Sequence, residues 1–175
     1  MNTNTILLNA VTDPALTGPN LYPWDFGSHV AELQELLRAH GFRLRIDGDF
    51  GSTTEAAVKA FQRQHGLRVD GVVDIKTWTA LKTKIQPGTR ILKQGRTGGD
   101  VRELQGLLRV HGYHVSRNGI FDDDTKQAVI SFQEKHKLKP NGIVDFITWT
   151  VLRAGSPLPT PTEQTGWFLN FRKWW

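Results

Sequence analysis

An internal repeat constrains the fold of this sequence more than any other feature. Residues 30–81 align with residues 101–152 at a constant offset of 71 without a gap, and 25 of the 52 paired positions are identical. The offset extends back to the pairs Leu21/Leu92 and Gly27/Gly98. Because self-similarity at a fixed period marks repeated structural units, we predict two tandem domains of one fold, each about 60 residues long.

Each copy has the apolar periodicity of three helices. Apolar residues recur at intervals of three and four, which gives each helix one buried stripe. In repeat 1 these positions are Val30, Leu33, Leu36, Leu37, Ala57, Val58, Phe61, Ile75, Trp78 and Leu81. We therefore predict an all-α chain of two tandem three-helix domains. A unit this small has little core, so Phe61 and Trp78, with Phe132 and Trp149 in repeat 2, are predicted to be buried.

Capping residues predict where the helices begin and end. Gly41 is expected in a left-handed conformation after the first helix. Ser52 with Glu55 three residues later predicts a capping box at the second helix, and Asp74 predicts the N-cap of the third. The corresponding caps of repeat 2 are predicted at Asp123 and Asp145.

The repeat alignment and the proline pattern predict six segments. These are an extended N-terminal arm over 1–19, repeat 1 over 20–84, a linker over 85–90, repeat 2 over 91–154, a proline-rich linker over 155–166 and an aromatic tail over 167–175.

Turns between the predicted helices carry Asp47-Gly48 and Asp70-Gly71, where repeat 2 has Asn118-Gly119 and Asn141-Gly142. Asp and Asn share a tolerance of turn geometry but not a charge. A hard cation would favour the carboxylate in both copies. We therefore interpret these residues as turn formers and predict no metal site.

Composition excludes several kinds of chemistry. The chain has no cysteine, and its six histidines include the repeat pairs His40/His111 and His65/His136, with no His-Glu-x-x-His spacing. Asp and Glu are too common for the sequence to exclude a glycosidase carboxylate pair, but no segment outside the repeats is large enough for a catalytic domain. We predict no enzyme activity and no cofactor. The net charge of +5 is scattered, which argues against nucleic acid as a partner.

The two copies resemble the peptidoglycan-binding domain family. The resemblance is carried by VAELQELL and IDGDFGSTTEAAVKAFQRQHGL in repeat 1, by VRELQGLL and NGIFDDDTKQAVISFQEKHKL in repeat 2, and by the lead-in ILKQGRTGGDV, and it covers residues 20–153. It implies a compact three-helix domain that binds wall glycan or stem peptide in a shallow groove. Repeat 2 departs from the pattern at Asp122 and Ile120, where repeat 1 has Gly51 and Asp49.

Candidate ligand residues lie around the second helix of each repeat. Polar groups at a helix N-terminus beside an aromatic ring could hold an amide or a sugar hydroxyl, although capping and core packing explain the same pattern. Arg63 could meet a stem-peptide carboxylate, but repeat 2 has Glu134 there. The predicted ligand-binding residues are Asp47, Phe50, Thr54, Gln62, Arg63, Asn118, Phe121, Thr125 and Gln133.

The last nine residues contain five aromatic side chains that share one face of a helix: Trp167, Phe168, Phe171, Trp174 and Trp175. Such a tail could dock into a partner's groove, lie on a membrane surface or fold back on its own domains. We favour a protein partner.

The sequence has neither a signal peptide nor a transmembrane segment, so we expect synthesis in the cytoplasm and action at the wall. The predicted function is non-catalytic binding of peptidoglycan within a larger assembly, such as a phage tail or contractile injection machine. The alternative is a structural subunit of such an assembly, whose repeats dock proteins and do not bind wall.

Overall fold

The computed structural model describes residues 13–154, and within this range the chain forms six α-helices after a short 3-10 turn at Pro14–Leu16. The helices are α1 (Ser28–Ala39), α2 (Ser52–Gln64), α3 (Ile75–Thr83), α4 (Gly99–Val110), α5 (Asp123–Lys135) and α6 (Phe146–Ala154). Extended pairing over 13–154 is limited to isolated bridges, such as Leu21 with Val73 and Leu92 with Val144. The all-α prediction of two tandem three-helix domains is confirmed.

Each repeat has its own hydrophobic core, and the predicted helix stripes fill it. Trp78 and Phe61 are fully buried in repeat 1, and Phe132 and Trp149 occupy the same places in repeat 2. Each aromatic side chain buries a large apolar area, and burial of such a side chain contributes about 2 to 3 kcal/mol. The prediction that these four rings form the cores is confirmed.

Two of the predicted helix caps are confirmed and two are displaced by one residue. The carboxylates of Asp74 and Asp145 accept from the backbone N–H groups of Thr77 and Thr148 at 2.8 Å. Ser52 is wrong as a cap, because Gly51 occupies the N-cap of α2 without a side-chain hydrogen bond. In α5 the cap is Asp122, not Asp123: its Oδ1 accepts from Thr125 N at 2.9 Å.

The four turn residues behave as turn formers. Each side-chain oxygen accepts a hydrogen bond from the backbone N–H two residues later, at 2.9 to 3.1 Å. The residues are Asp47, Asp70, Asn118 and Asn141. Each following glycine has a positive φ between 69° and 79°.

The segment 13–19, predicted as the end of an extended arm, packs across both repeats. On the repeat 1 side, the indole N–H of Trp78 donates to the Pro19 carbonyl at 2.7 Å, and Lys82 Nζ donates to the Thr17 carbonyl at 2.8 Å. On the repeat 2 side, the carboxylate of Asp13 accepts from Arg102 at 2.5 Å. The rest of the predicted arm, the proline-rich linker and the aromatic tail lie outside the described residues.

Charged side chains connect the repeats directly. Lys82 is only 3% exposed; its Nζ lies 3.1 Å from the Glu32 carboxylate and donates to Thr97 Oγ1 at 2.9 Å. Arg96 of repeat 2 pairs with Glu35 of repeat 1 at 2.6 Å. These contacts hold the lead-in of repeat 2 against the middle of α1 and the end of α3.

A buried ion pair fixes the linker to repeat 2. Arg90 Nε donates to Asp100 Oδ2 at 2.8 Å, and the two side chains are 4% and 1% exposed. A second guanidinium nitrogen of Arg90 donates to the Thr97 carbonyl at 2.7 Å. The end of the linker is therefore held against the first turn of α4.

Candidate functional site

Six of the nine predicted ligand-binding residues lie inside the repeats. Each is at most 3% exposed. They are Phe50, Thr54, Gln62, Phe121, Thr125 and Gln133. A ligand that approaches from solvent does not reach these side chains, so we assign them to the scaffold that shapes the surface, in place of the ligand contact that we predicted.

A buried glutamine on α1 explains why the turn before α2 has one shape. Gln34 Oε1 accepts from the backbone N–H groups of Asp47 and Gly48 at 3.0 and 2.8 Å, while its Nε2 donates to Asp47 Oδ1 and to Thr54 Oγ1. In repeat 2 Gln105 makes the equivalent bond to Gly119 N at 2.8 Å. The backbone at this turn is therefore fixed in both copies.

Gln62 and Gln133 do the same for the turn before the third helix of each repeat. Gln62 Oε1 accepts from Gly71 N at 3.0 Å and its Nε2 donates to the Val72 carbonyl at 2.8 Å. Gln133 repeats the pattern with Gly142 at 3.0 Å. Because a buried amide must satisfy both its oxygen and its nitrogen, this role leaves neither glutamine free for a ligand.

Asp47, Arg63 and Asn118 are the three predicted residues that are exposed. The Gln34 amide donates to Asp47 and holds the pKa of its carboxyl below the ordinary value. Asp47 therefore stays ionised at neutral pH, with one side of its carboxylate facing solvent.

A shallow groove of about 640 Å³ lies beside Asp47 on the surface of repeat 1. Its lining includes the backbone of Gly27 and Gly48 and the polar residues Ser28, Asp47 and Asp49. Gly27 is open to solvent, and a Cβ at this position would meet no atom within 4 Å. The groove can therefore admit a flat ligand close to the backbone.

Three exposed aromatic residues stand at alternate positions in the chain just before Gly27 of this groove. Tyr22 is 51% exposed, Trp24 77% and Phe26 88%, and Phe26 also lines the groove. We call these three residues the aromatic platform. None of the three was predicted to bind ligand, although the sequence has an aromatic residue at every second position here, where repeat 2 has Lys93, Gly95 and Thr97.

The backbone of Trp24 is in a conformation that a tryptophan rarely adopts. Its φ is +78°, and it follows Pro23 at the third position of a turn in which Asp25 N donates to the Tyr22 carbonyl at 3.1 Å. This position normally takes glycine, as at Gly95 of repeat 2, whose φ is +88°. A left-handed residue with a Cβ costs about 1 to 2 kcal/mol, and an exposed ring recovers little of that by packing.

The equivalent surface of repeat 2 is covered. Gly98 and Gly119, the counterparts of the two glycines that line the groove, are buried. A Cβ at Gly119 would lie 3.2 Å from the Ala15 methyl group, and one at Gly98 would lie 3.2 Å from the Lys82 carbonyl oxygen. The N-terminal segment and the end of α3 thus occupy in repeat 2 the place that is open in repeat 1.

A second cleft, of about 510 Å³, separates the two repeats. Arg38 of α1 and Lys93 of the repeat 2 lead-in lie exposed at its edges, and the ion pair of Glu35 with Arg96 crosses it. Unlike the groove of repeat 1, this cleft has a positive balance of charge.

His40 and His111, one of the duplicated histidine pairs, are half-buried and lie against the cores. His40 Nε2 lies 2.9 Å from the Leu81 carbonyl, and its ring packs edge-on against Phe61. His111 lies 2.7 Å from the Leu152 carbonyl in the same way. Burial lowers the pKa of His40. Over residues 13–154, no three His, Asp or Glu side chains are grouped so that they could hold a metal ion.

The sequence profile described as "Putative peptidoglycan binding domain" matches the chain twice, at residues 26–81 and 97–152. The chain belongs to this family. The two matches cover more than half of the sequence and coincide with the two repeats. The predicted resemblance is confirmed, and cell-wall binding is the function that the family supports.

Curated relatives include two wall amidases. The chain is 30% identical over 166 residues to N-acetylmuramoyl-L-alanine amidase CwlL of Bacillus licheniformis, covering 79% of this chain and 46% of the relative. It is 35% identical over 100 residues to the amidase CwlM of Mycobacterium tuberculosis, covering 54% and 25%. The chain thus spans less than half the length of either amidase.

Among solved structures, the SleB N-terminal domain is 32% identical and matches with a TM-score of 0.39, over 40% of this chain and 99% of that one. Within residues 13–154, no helix is both long enough and apolar enough to cross a membrane.

Proposed function

We propose that this chain binds cell-wall peptidoglycan without cutting it. The observation that carries this proposal is an open groove, lined by glycine backbone and polar residues, on a domain of the peptidoglycan-binding family. Both domains match the binding family, so neither needs a catalytic role to account for it. Of the residues predicted to contact ligand, we retain Asp47 and Arg63 on repeat 1, and we assign the buried six to the support of the loops. Asn118 is not retained, because it lies beside the covered counterpart of the groove on repeat 2.

Co-sedimentation with purified, protein-free sacculi tests wall binding. The full chain is compared with a chain ending at Ala154, over a series of salt concentrations. We expect saturable binding by both chains that survives moderate salt. An attraction of the net charge of +5 to anionic wall polymers would instead be lost as the salt concentration rises. Absence of sedimentation of either chain at low salt would contradict the proposal.

The same incubations test whether the chain cuts the wall. Release of reducing ends reports glycosidase activity, and release of free amino groups reports amidase or peptidase activity. We expect neither to rise above a sacculus blank, while a wall amidase added to a parallel sample releases amino groups. A rise that scales with the concentration of this chain would overturn the non-catalytic assignment.

We further infer that the chain works within a larger assembly, of which a phage tail or injection machine is an example. The aromatic tail supports this inference, because five large apolar side chains within nine residues are a liability in water without a partner. Size exclusion with light scattering compares the full chain with the chain ending at Ala154. We expect self-association of the full chain only, and a monomeric full chain that binds no protein would count against an assembly role.

A further inference from the structure

The fold does not require aromatic residues at the three positions of the aromatic platform. Repeat 2 has the same backbone at this place, since Trp24 N and Gly95 N donate at 2.9 Å to the equivalent carbonyls of Phe50 and Phe121. In repeat 2 the chain uses Gly95 at the left-handed position, and in repeat 1 it places an exposed tryptophan there against the backbone preference. Such a departure at a groove points to a role in binding.

The groove beside the aromatic platform favours a neutral ligand. Its ionisable lining residues are Asp47 and Asp49, and it has no lysine or arginine. The carboxylates of a stem peptide would be repelled, whereas the hydroxyl and amide N–H groups of an N-acetylated sugar can donate to these acceptors. The apolar C–H face of a pyranose ring packs well on an aromatic ring, which has a negative face.

The covered surface of repeat 2 shows how this face packs against protein. There the chain uses short or charged residues: Thr97 accepts from Lys82 at 2.9 Å, and Arg96 pairs with Glu35 at 2.6 Å. In repeat 1 those two places hold Phe26 and Asp25. The side chains suited to the protein contact are therefore absent from the face that is open.

We propose that Tyr22, Trp24 and Phe26 form the surface on which repeat 1 stacks the N-acetylated hexosamine rings of wall glycan, with Asp47 and Asp49 accepting hydrogen bonds from them. This rests on the proposed function and names the part of the wall that is bound. It also places glycan recognition on repeat 1 alone, since the N-terminal segment and α3 cover the equivalent face of repeat 2.

The test exchanges the aromatic platform for the residues of repeat 2. The full chain with Tyr22→Lys, Trp24→Gly and Phe26→Thr is compared with the wild type and with Phe146→Thr. Phe146 is 68% exposed on α6, away from the groove, so it controls for the loss of an exposed ring. Each chain is titrated with chitotetraose and with glycan strands stripped of their peptides by an amidase, and is sedimented with intact sacculi.

We expect the triple variant to bind both glycan probes about tenfold or more weakly than the wild type and the control, as three stacking contacts are removed. Its free energy of unfolding should not fall, because each new residue already occupies the same backbone in repeat 2. Light scattering at the titration concentrations records whether the wild type is monomeric.

Three outcomes would overturn the glycan assignment. Equal binding of chitotetraose, the neutral probe, by the triple variant and the wild type would show that the aromatic platform does not recognise glycan. Binding of intact sacculi but of neither chitotetraose nor the stripped strands, whose lactyl carboxylates the amidase has freed, would assign recognition to the stem peptide. A wild-type dimer that the triple variant converts to monomer assigns the face to a second copy. Failure of the wild type to sediment with intact sacculi would instead refute the proposed function itself.

Discussion

The two repeats share their interior and differ at the surface that repeat 1 presents to solvent. Gln34 and Gln105 fix the same turn through the same hydrogen bonds, and Phe50 and Phe121 are buried beneath it. At the surface, exposed Trp24 of repeat 1 stands where repeat 2 has Gly95. One copy offers a groove, and the other uses the same face to hold the chain together.

This comparison separates two kinds of information in the repeat alignment. Many positions that are identical in both copies, such as Gln62 and Gln133, are buried and hold the domain together. Positions that differ at the surface, such as Phe26 and Thr97, reflect what each copy contacts: Phe26 faces solvent, and Thr97 accepts a hydrogen bond from Lys82. A binding site on one copy is therefore found among the differences.

The largest effect is expected at the ion pair that only repeat 2 possesses. Asp100→Ala would leave the guanidinium of Arg90 buried without its partner, which costs about 3 to 5 kcal/mol. The counterpart in repeat 1 is His29, whose side chain is 60% exposed. His29→Ala should change the free energy of unfolding by less than about 0.5 kcal/mol. Guanidinium denaturation monitored by circular dichroism measures both, and similar costs would mean that the linker does not depend on this pair.

The buried glutamines should respond alike in the two repeats. Gln34→Ala and Gln105→Ala each remove the acceptor of a turn N–H, that of Gly48 or of Gly119, and leave a cavity in the interior, so we expect a loss of about 2 kcal/mol in each case. Urea denaturation gives the two free energies of unfolding. A large loss in only one variant would show that the two glutamines do not stabilise their repeats equally.

The two core tryptophans provide a smaller and more specific test. Trp78 donates to the Pro19 carbonyl at 2.7 Å, whereas the buried indole N–H of Trp149 finds no acceptor within residues 13–154. Replacement by Phe removes the same volume from both cores but breaks a hydrogen bond only at Trp78. We expect Trp78→Phe to cost about 1 kcal/mol more than Trp149→Phe in the free energy of unfolding. The reverse order would mean that the Pro19 contact contributes no stability.

The sequence predicted what depends on neighbours along the chain. The stripe of Val30, Leu33 and Leu37 specifies a helix because its period is a local property, and Asp74 caps α3 because its partner is three residues away. The cap of α2 was displaced by one residue to Gly51, since local patterns do not fix helix ends to a single position.

The sequence could not predict contacts between distant segments. The burial of Gln62 depends on the Val72 carbonyl and on Thr77, which the fold brings to it. The contacts of the segment 13–19 with Lys82 and Arg102 join residues 65 and 89 positions apart. These long-range contacts decide which repeat keeps an open groove, so the sequence shows that the two copies differ here but not that one face is open and the other covered.

The smallest expected difference lies in the response of the repeats to acid. A hydrogen bond from the Gln34 side chain lowers the pKa of Asp47, and one from the Val72 N–H lowers that of Asp70. The ordinary value is 3.8 for both. A carboxyl whose pKa is lower in the folded state stabilises the fold above the unfolded value, and this contribution is lost as pH falls through the folded value. Repeat 2 has Asn118 and Asn141 at these turns, and asparagine does not titrate.

Asp47→Asn with Asp70→Asn should therefore make the urea midpoint fall less steeply below about pH 4, with little change near pH 7. The reciprocal variant, Asn118→Asp with Asn141→Asp, should steepen that fall, because it gives repeat 2 the same two titrating turns. Both effects are small, since the carboxylate of Asp47 is exposed and partly screened by solvent. Parallel pH profiles of all three chains would mean that Asp and Asn build these turns interchangeably at every pH, and that charge in the turns of repeat 1 serves only the surface of its groove.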